Sequence, residues 1–107
     1  MGLSSKDKQR INDLRRQFPP KVYVLVRRSI DGGFVASFTD FPGIHTQADS
    51  FSELIDMLND AIWTYFGVPM KYRSFMPNYI PSIEMAQQLD AFPVRARDTR
   101  LSMTRIS

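Results

Sequence analysis

The sequence predicts an α+β fold: a small antiparallel β-sheet, made of a three-stranded meander plus a late strand, with one main helix packed on it. Three observations carry that expectation. Two β-branched and aromatic runs, Lys21 to Arg28 and Phe34 to Phe38, flank Asp31-Gly32-Gly33, a strong hairpin signal. A stretch with apolar residues at helical spacing opens at Ser50. A loose apolar and polar alternation returns near the C-terminal end.

Ser5 to Phe18 places Ile11, Leu14 and Phe18 at i, i+3 and i+7 among charges and stops at Pro19-Pro20. That predicts a short amphipathic helix, either docked on the core or held out as an arm for another chain. Lys21 to Arg28 contains an apolar run, Val22 to Val26, that falls on both faces, as in a central strand. Asp31, Gly32 and Gly33 tolerate positive φ and turn it back, antiparallel, into Phe34 to Phe38, where Phe34, Ala36 and Phe38 share a face. Phe41-Pro42-Gly43 ends this second strand, because proline has no amide to donate and glycine takes the left-handed place in a tight turn. Ile44 to Ala48 reads as a third short strand.

Ser50 and Glu53 form an S-x-x-E capping box, in which the glutamate is expected to reach back to the cap amide. Leu54, Met57, Leu58, Ala61, Ile62 and Tyr65 then recur at helical spacing until Gly67-Val68-Pro69. Phe51, Ile55, Trp63 and Phe66 lie outside that stripe, so a second surface, the C-terminal segment or another subunit, is expected to cover the helix. Met70 to Pro81 is broken by prolines and reads as irregular. Ser82 to Phe92 reads as a short helix with Ile83, Met85, Ala86, Leu89 and Phe92 apolar, and Arg97 to Ser107 as the late strand. The chain then divides into an N-terminal basic helix or arm (residues 1–20) and a single domain (21–107), the latter with a core at 21–67 and a helix-and-strand extension at 68–107.

Composition bounds the function. The 107 residues are 43% hydrophobic and 23% charged, enough for one globular core. No apolar run approaches the roughly 20 residues of a membrane span, and Met1 to Arg10 lacks the apolar stretch of a secretory signal. A cytoplasmic protein with no membrane partner is expected. The absence of cysteine excludes disulfides, thiolate nucleophiles and cysteine zinc sites, and a single histidine excludes a His-rich metal site; no cofactor is expected. The net charge of +3 hides a segregation. Residues 1–28 hold eight Lys/Arg and two acids, 29–68 hold six acids and no Lys/Arg, and 69–107 hold six Lys/Arg and three acids.

The corner from Phe38 to Glu53 crowds Asp40, His45 and Asp49 near the end of a strand. A two-metal nuclease would need its carboxylates to converge on ions about 3.5–4 Å apart. Asp31 lies in the hairpin at the other end of the strand from Asp40, and Asp56 and Asp60 are i, i+4 on an outward helix face. His45 has no cysteine nearby, and Ser37 or Thr46 beside it lacks an orienting acid. These residues therefore read as corner chemistry: Asp40 bonding turn amides, His45 a partly buried strand residue, no catalytic group and no metal site. No phosphate-binding G-K-[ST] follows Gly32-Gly33.

The same stretch, VASFTDFPGIHTQADSFSELIDMLNDAIWTYF, resembles the core of the HicB-like antitoxin family over about residues 21–67. Asp40, Pro42, Gly43, Thr46, Ser50 and Glu53 stand where that family has its D-x-P-G corner, its threonine-containing loop and its helix opening. PNYIPSIE, from Pro77 to Glu84, is similar to a later I-P-x-P-S stretch. Thr39 stands where proline is common and Ala48 where glycine is frequent. The forty or so residues after the core, with Pro77, Pro81 and Pro93, leave too little for a helix-turn-helix plus a closing strand. The resemblance implies a partial RNase H-like sheet without catalytic carboxylates. It also implies a non-enzymatic role: binding and blocking a small RNA-cleaving toxin of the HicA type.

Two kinds of partner follow from the charges. The acidic helix face of Asp49, Glu53, Asp56 and Asp60 would suit a basic toxin protein. Alternatively, basic ends that include Arg15, Arg16, Arg95, Arg97 and Arg100 would contact nucleic-acid phosphates, although nothing aromatic is interleaved with them in sequence. Surplus apolar surface on the Ser50 to Phe66 helix, open sheet edges and complementary segments predict a homo-oligomer, a dimer or larger.

Overall fold

A computed structural model of the chain describes residues 2–29, 32–41, 43–91 and 99–106. It is an α+β fold. The elements run α1 (Ser5–Arg15), β1 (Lys21–Arg28), β2 (Phe34–Phe38), β3 (His45–Ala48), α2 (Phe51–Tyr65), a 3₁₀ turn (Met70–Phe75), β4 (Asn78–Pro81), α3 (Ile83–Ala91) and β5 (Thr99–Ile106). The five strands form one antiparallel sheet in the order β3-β2-β1-β5-β4, so β1 is its middle strand. Among the described residues no helix is long and apolar enough to cross a membrane.

Period-2 alternation decides which side of the sheet is inside. Val22, Val24 and Val26 of β1, Phe34, Ala36 and Phe38 of β2, and Leu101 and Met103 of β5 are buried on one face. Phe51, Leu54, Leu58 and Ile62 of α2 close over them. Each such side chain taken from water contributes roughly 1.5–3 kcal/mol, which makes this layer the main source of stability. The helix stripe differs from expectation: Met57 and Tyr65 lie on the exposed flank, at 37% and 50% exposure, while Asn59 is buried. The reason is that α2 packs on two surfaces, which turns its buried arc away from a single-stripe solution.

The second surface comes from the same chain. α1 starts with a capping box of Ser4 and Asp7 and buries Ile11 and Leu14. Phe18, past its end, is also buried, with its ring 4.8 Å from that of Phe66. Arg105 on β5 donates to the carbonyls of Arg15 and Phe18 at 3.1 and 2.9 Å, which fixes the end of α1 to the sheet. Tyr72 of the 3₁₀ turn donates to Asp7, and this bond with those from Ser4 holds the Asp7 carboxyl below its usual range. α2 itself ends in a Schellman motif: Gly67 has φ +69°, Val68 N–H reaches the Trp63 carbonyl and Gly67 N–H the Thr64 carbonyl.

Three local expectations need correction. The segment read as irregular contains β4, an edge strand bracketed by Pro77 and Pro81 whose Tyr79 is fully buried. Of the two described glycines of the first hairpin, Gly32, at φ +96°, takes the left-handed region and Gly33 does not. Gly33 is glycine for space, since a Cβ there would stand 2.8 Å from the Ala48 carbonyl oxygen of β3. β1 is central, yet among the described residues only one of its apolar sides is covered: Tyr23 is 39% exposed and Leu25 half-buried on the outer face. Asp31, Pro42 and Phe92 lie outside the described residues, as does the side chain of Leu89.

Candidate partner-binding face

The corner between β2 and α2 is built by main-chain geometry. Gly43 at φ +87° and the Ile44 N–H to Phe41 carbonyl bond (3.3 Å) make the tight turn. Phe41 is thereby sent inward among aromatic rings, 5.5 Å from Phe38, 4.4 Å from Tyr65 and 5.6 Å from Phe66, centroid to centroid. The expectation that Asp40 bonds turn amides needs correction: among the described residues its carboxylate accepts from Tyr23 N–H of β1 at 3.4 Å, extending the ladder past the last paired strand residue. Thr46 pairs with Ala36 in β3. Ser50 Oγ accepts from Glu53 N–H, but Glu53 reaches back to Asp49 N–H, one residue before the cap amide expected to receive it. Pro42 lies outside the described residues. His45, expected to be partly buried, is exposed, because β3 is the edge strand and this residue faces away from α2.

Asp40, His45 and Asp49 thus hold turns and caps or face solvent, and among the described residues no three His, Cys, Asp or Glu side chains stand close enough to hold a metal ion. The acidic set does share a face. Asp49, Glu53, Asp56 and Asp60 are all exposed at the start and along one side of α2, a helix with no Lys or Arg. They are not equivalent. Asp60 is ion-paired with Arg73, whose guanidinium also donates to Thr64 Oγ1 and the Val68 carbonyl at 3.3 Å each. Glu53 is occupied by its cap. The charge presented outward is therefore concentrated at Asp49 and Asp56.

Beside this face runs a groove of about 500 Å³ between β3 and α2, lined by Ile44, Thr46, Met57, Ala61, Thr64 and Tyr65 among others. Sequence reasoning placed Met57 and Tyr65 in the core stripe and so missed their part in this surface. The only sequence signal for them was the presence of a second apolar set on the helix, which implied that not every member of the first could be covered. β3 also leaves a sheet edge open. Since Phe38 N–H bonds the Ile44 carbonyl at 3.4 Å, the alternation of an antiparallel ladder turns Thr46 and Ala48 toward β2, and the main-chain groups of His45 and Gln47 away from it.

The basic residues grouped from sequence do not meet. Arg15 donates to the Phe75 carbonyl and Arg16 lies 3.8 Å from Asp13, both on the helix side of the molecule. Arg100 is exposed on the opposite side of the sheet, in register with Leu25. Arg95 and Arg97 lie outside the described residues.

No family model and no solved structure matches the chain. A UPF0150 protein of Archaeoglobus fulgidus is 35% identical over 48 residues, a match that spans 45% of this chain and 70% of that protein. On that identity and coverage, the chain belongs to the UPF0150 family.

Proposed function

We propose that the chain is a HicB-like antitoxin-type binding module that captures and neutralises a small basic RNA-cleaving toxin of the HicA type. The observation that carries the reading is the face of α2: a helix without a single Lys or Arg that turns Asp49, Glu53 and Asp56 to solvent and sets Asp60, on the same face, into the lining of the Met57 and Tyr65 groove. Acidic groups rimming an apolar groove are what a basic RNA-binding protein needs, the charges steering encounter and the groove supplying contact area. The UPF0150 relationship and the HicB-like corner at Asp40, Gly43, Thr46, Ser50 and Glu53 support the same assignment.

The test begins with the tagged protein purified from its native cells. A small basic protein should co-purify in stoichiometric amount, cleave RNA when isolated, and stop cleaving when the module is added back. Asp56→Lys should weaken that inhibition at least tenfold, chiefly by slowing association, because Asp56 is exposed and among the described residues has no structural bond to lose. Asp60→Lys is the poorer probe, since it sets a like charge against Arg73 and disturbs the fold. A module that emerges alone, or a partner whose nuclease activity it leaves untouched, would overturn the assignment.

A further inference from the structure

We propose that the open face of the sheet binds single-stranded nucleic acid. α1, α2 and the 3₁₀ turn all pack on the other face, and no described element covers this one. Its outward strand residues include Lys21, Arg27 and Arg100 and, among the described residues, no Asp or Glu. Leu25 is in register with Arg100, so Arg27 lies diagonally across from it, about 7–8 Å away in such a ladder. Tyr23, in register with Ser102 on the next strand, presents a 39% exposed ring near the middle of this face. Toward β3 the surface dips into a depression of about 310 Å³, lined by Leu25, Val35, Ser37, His45 and Gln47 among others.

The mixture selects the ligand. A strand of nucleic acid alternates apolar base faces with phosphates, and this surface interleaves an aromatic ring and aliphatic side chains with cations and hydroxyls. A sheet face has no projecting helix to enter the groove of a duplex, which favours unpaired strands. The surface also explains the apolar character of both sides of β1, which the core needs on one side only. It differs from the grouping of basic ends: Arg15 and Arg16 are on the far side of the sheet, and Arg100 acts with Lys21 and Tyr23.

The experiment is fluorescence anisotropy of the full chain with a labelled oligonucleotide of about 12 nucleotides, as single-stranded RNA, single-stranded DNA and duplex, over a range of salt. Both single strands should bind more tightly than the duplex, with affinity falling as salt rises; the ratio of RNA to DNA affinity shows which is preferred. Tyr23→Ala should weaken binding about tenfold with the salt slope unchanged. Arg100→Ala should reduce the slope of log K against log salt by about 0.7, and Arg100→Lys should restore it. The double variant Lys8→Ala/Arg16→Ala on α1 should leave both readouts alone. Circular dichroism confirms that each variant is folded. The proposal is overturned if neither single strand shows salt-sensitive binding, or if binding is lost in the α1 variant and kept in the sheet variants. It is equally overturned if Arg100→Ala abolishes self-association of the chain while no oligonucleotide binds, which would assign this face to the acidic helix of a second copy.

Discussion

Asn59 does at residue scale what no neighbouring strand does for β4. It is a buried polar side chain, 5% exposed, on the core side of α2. Its Nδ2 donates to the carbonyls of Ile55 and Tyr79 at 2.9 and 3.0 Å, and its Oδ1 accepts from Tyr79 N–H at 2.6 Å. The side-chain amide thus completes the outer edge of β4 as another strand would. Asn59→Ala strands two buried main-chain groups of Tyr79, and the expected loss is about 3 kcal/mol, read from the urea midpoint at unchanged m-value; a loss below about 1 kcal/mol would mean that water takes over both bonds. The same tyrosine reports on pH. Its hydroxyl donates to the Pro19 carbonyl, and burial pushes its pKa up to about 12, only partly offset by Arg105. A proton held more tightly in the folded state stabilises fully below the ordinary value of 10.0 and is lost as pH rises toward about 12. Tyr79→Phe should therefore cost about 1 kcal/mol at neutral pH and flatten the alkaline fall in melting temperature. Parallel alkaline limbs in the two proteins would assign the fall to another group.

At the scale of elements, what was legible in the sequence was what is local. Period-2 runs marked β1 and β2, the Ser50 cap marked the start of α2, and Gly67 its end, because each is set by residues within a few positions of one another. β4 was not legible. Three residues between prolines carry no period, and the partners that make them a strand are Asn59, Trp63 through its bond to the Pro77 carbonyl, and β5. A trace of it was present: Asn59 interrupts an apolar helix face, and a polar side chain on a core face needs buried partners. The corner residues were recognised as turn and cap chemistry, while the bonds of Asp40 to Tyr23 and of Glu53 to Asp49 depend on the packed geometry. The acidic face of α2 followed from helical spacing, but the pairing of Asp60 with Arg73 did not, since thirteen positions and a chain reversal separate them. For β1, an apolar pattern on both sides fits a covered strand and a docking surface equally, and only the sheet's neighbours decide between them.

At the scale of the whole molecule, the grounds for self-association have narrowed to one edge. Much of the apolar surplus on α2 is covered within the chain by β4, by α3 and by Phe18, whose ring meets Phe66, which leaves Met57 and Tyr65 exposed. The β4 edge is closed at Tyr79 by Asn59 and flanked by prolines. The β3 edge is open, and an antiparallel pairing of two β3 strands would be self-complementary about a two-fold axis. It would bring the Met57 and Tyr65 flanks of two α2 helices together and join two open sheet faces into one surface. It would also bring the acids of both helices closer, so added salt should tighten such a dimer by screening them, the opposite of its effect on nucleic-acid binding. We expect a dimer by light scattering at micromolar concentration, more strongly associated at high salt. Gln47→Pro is the decisive variant. It removes an outward amide and no bond to β2, and should leave a folded monomer with a nearly unchanged melting temperature. A wild-type monomer, or a dimer that survives Gln47→Pro, would remove β3 from the interface and leave its edge and groove to the basic partner alone.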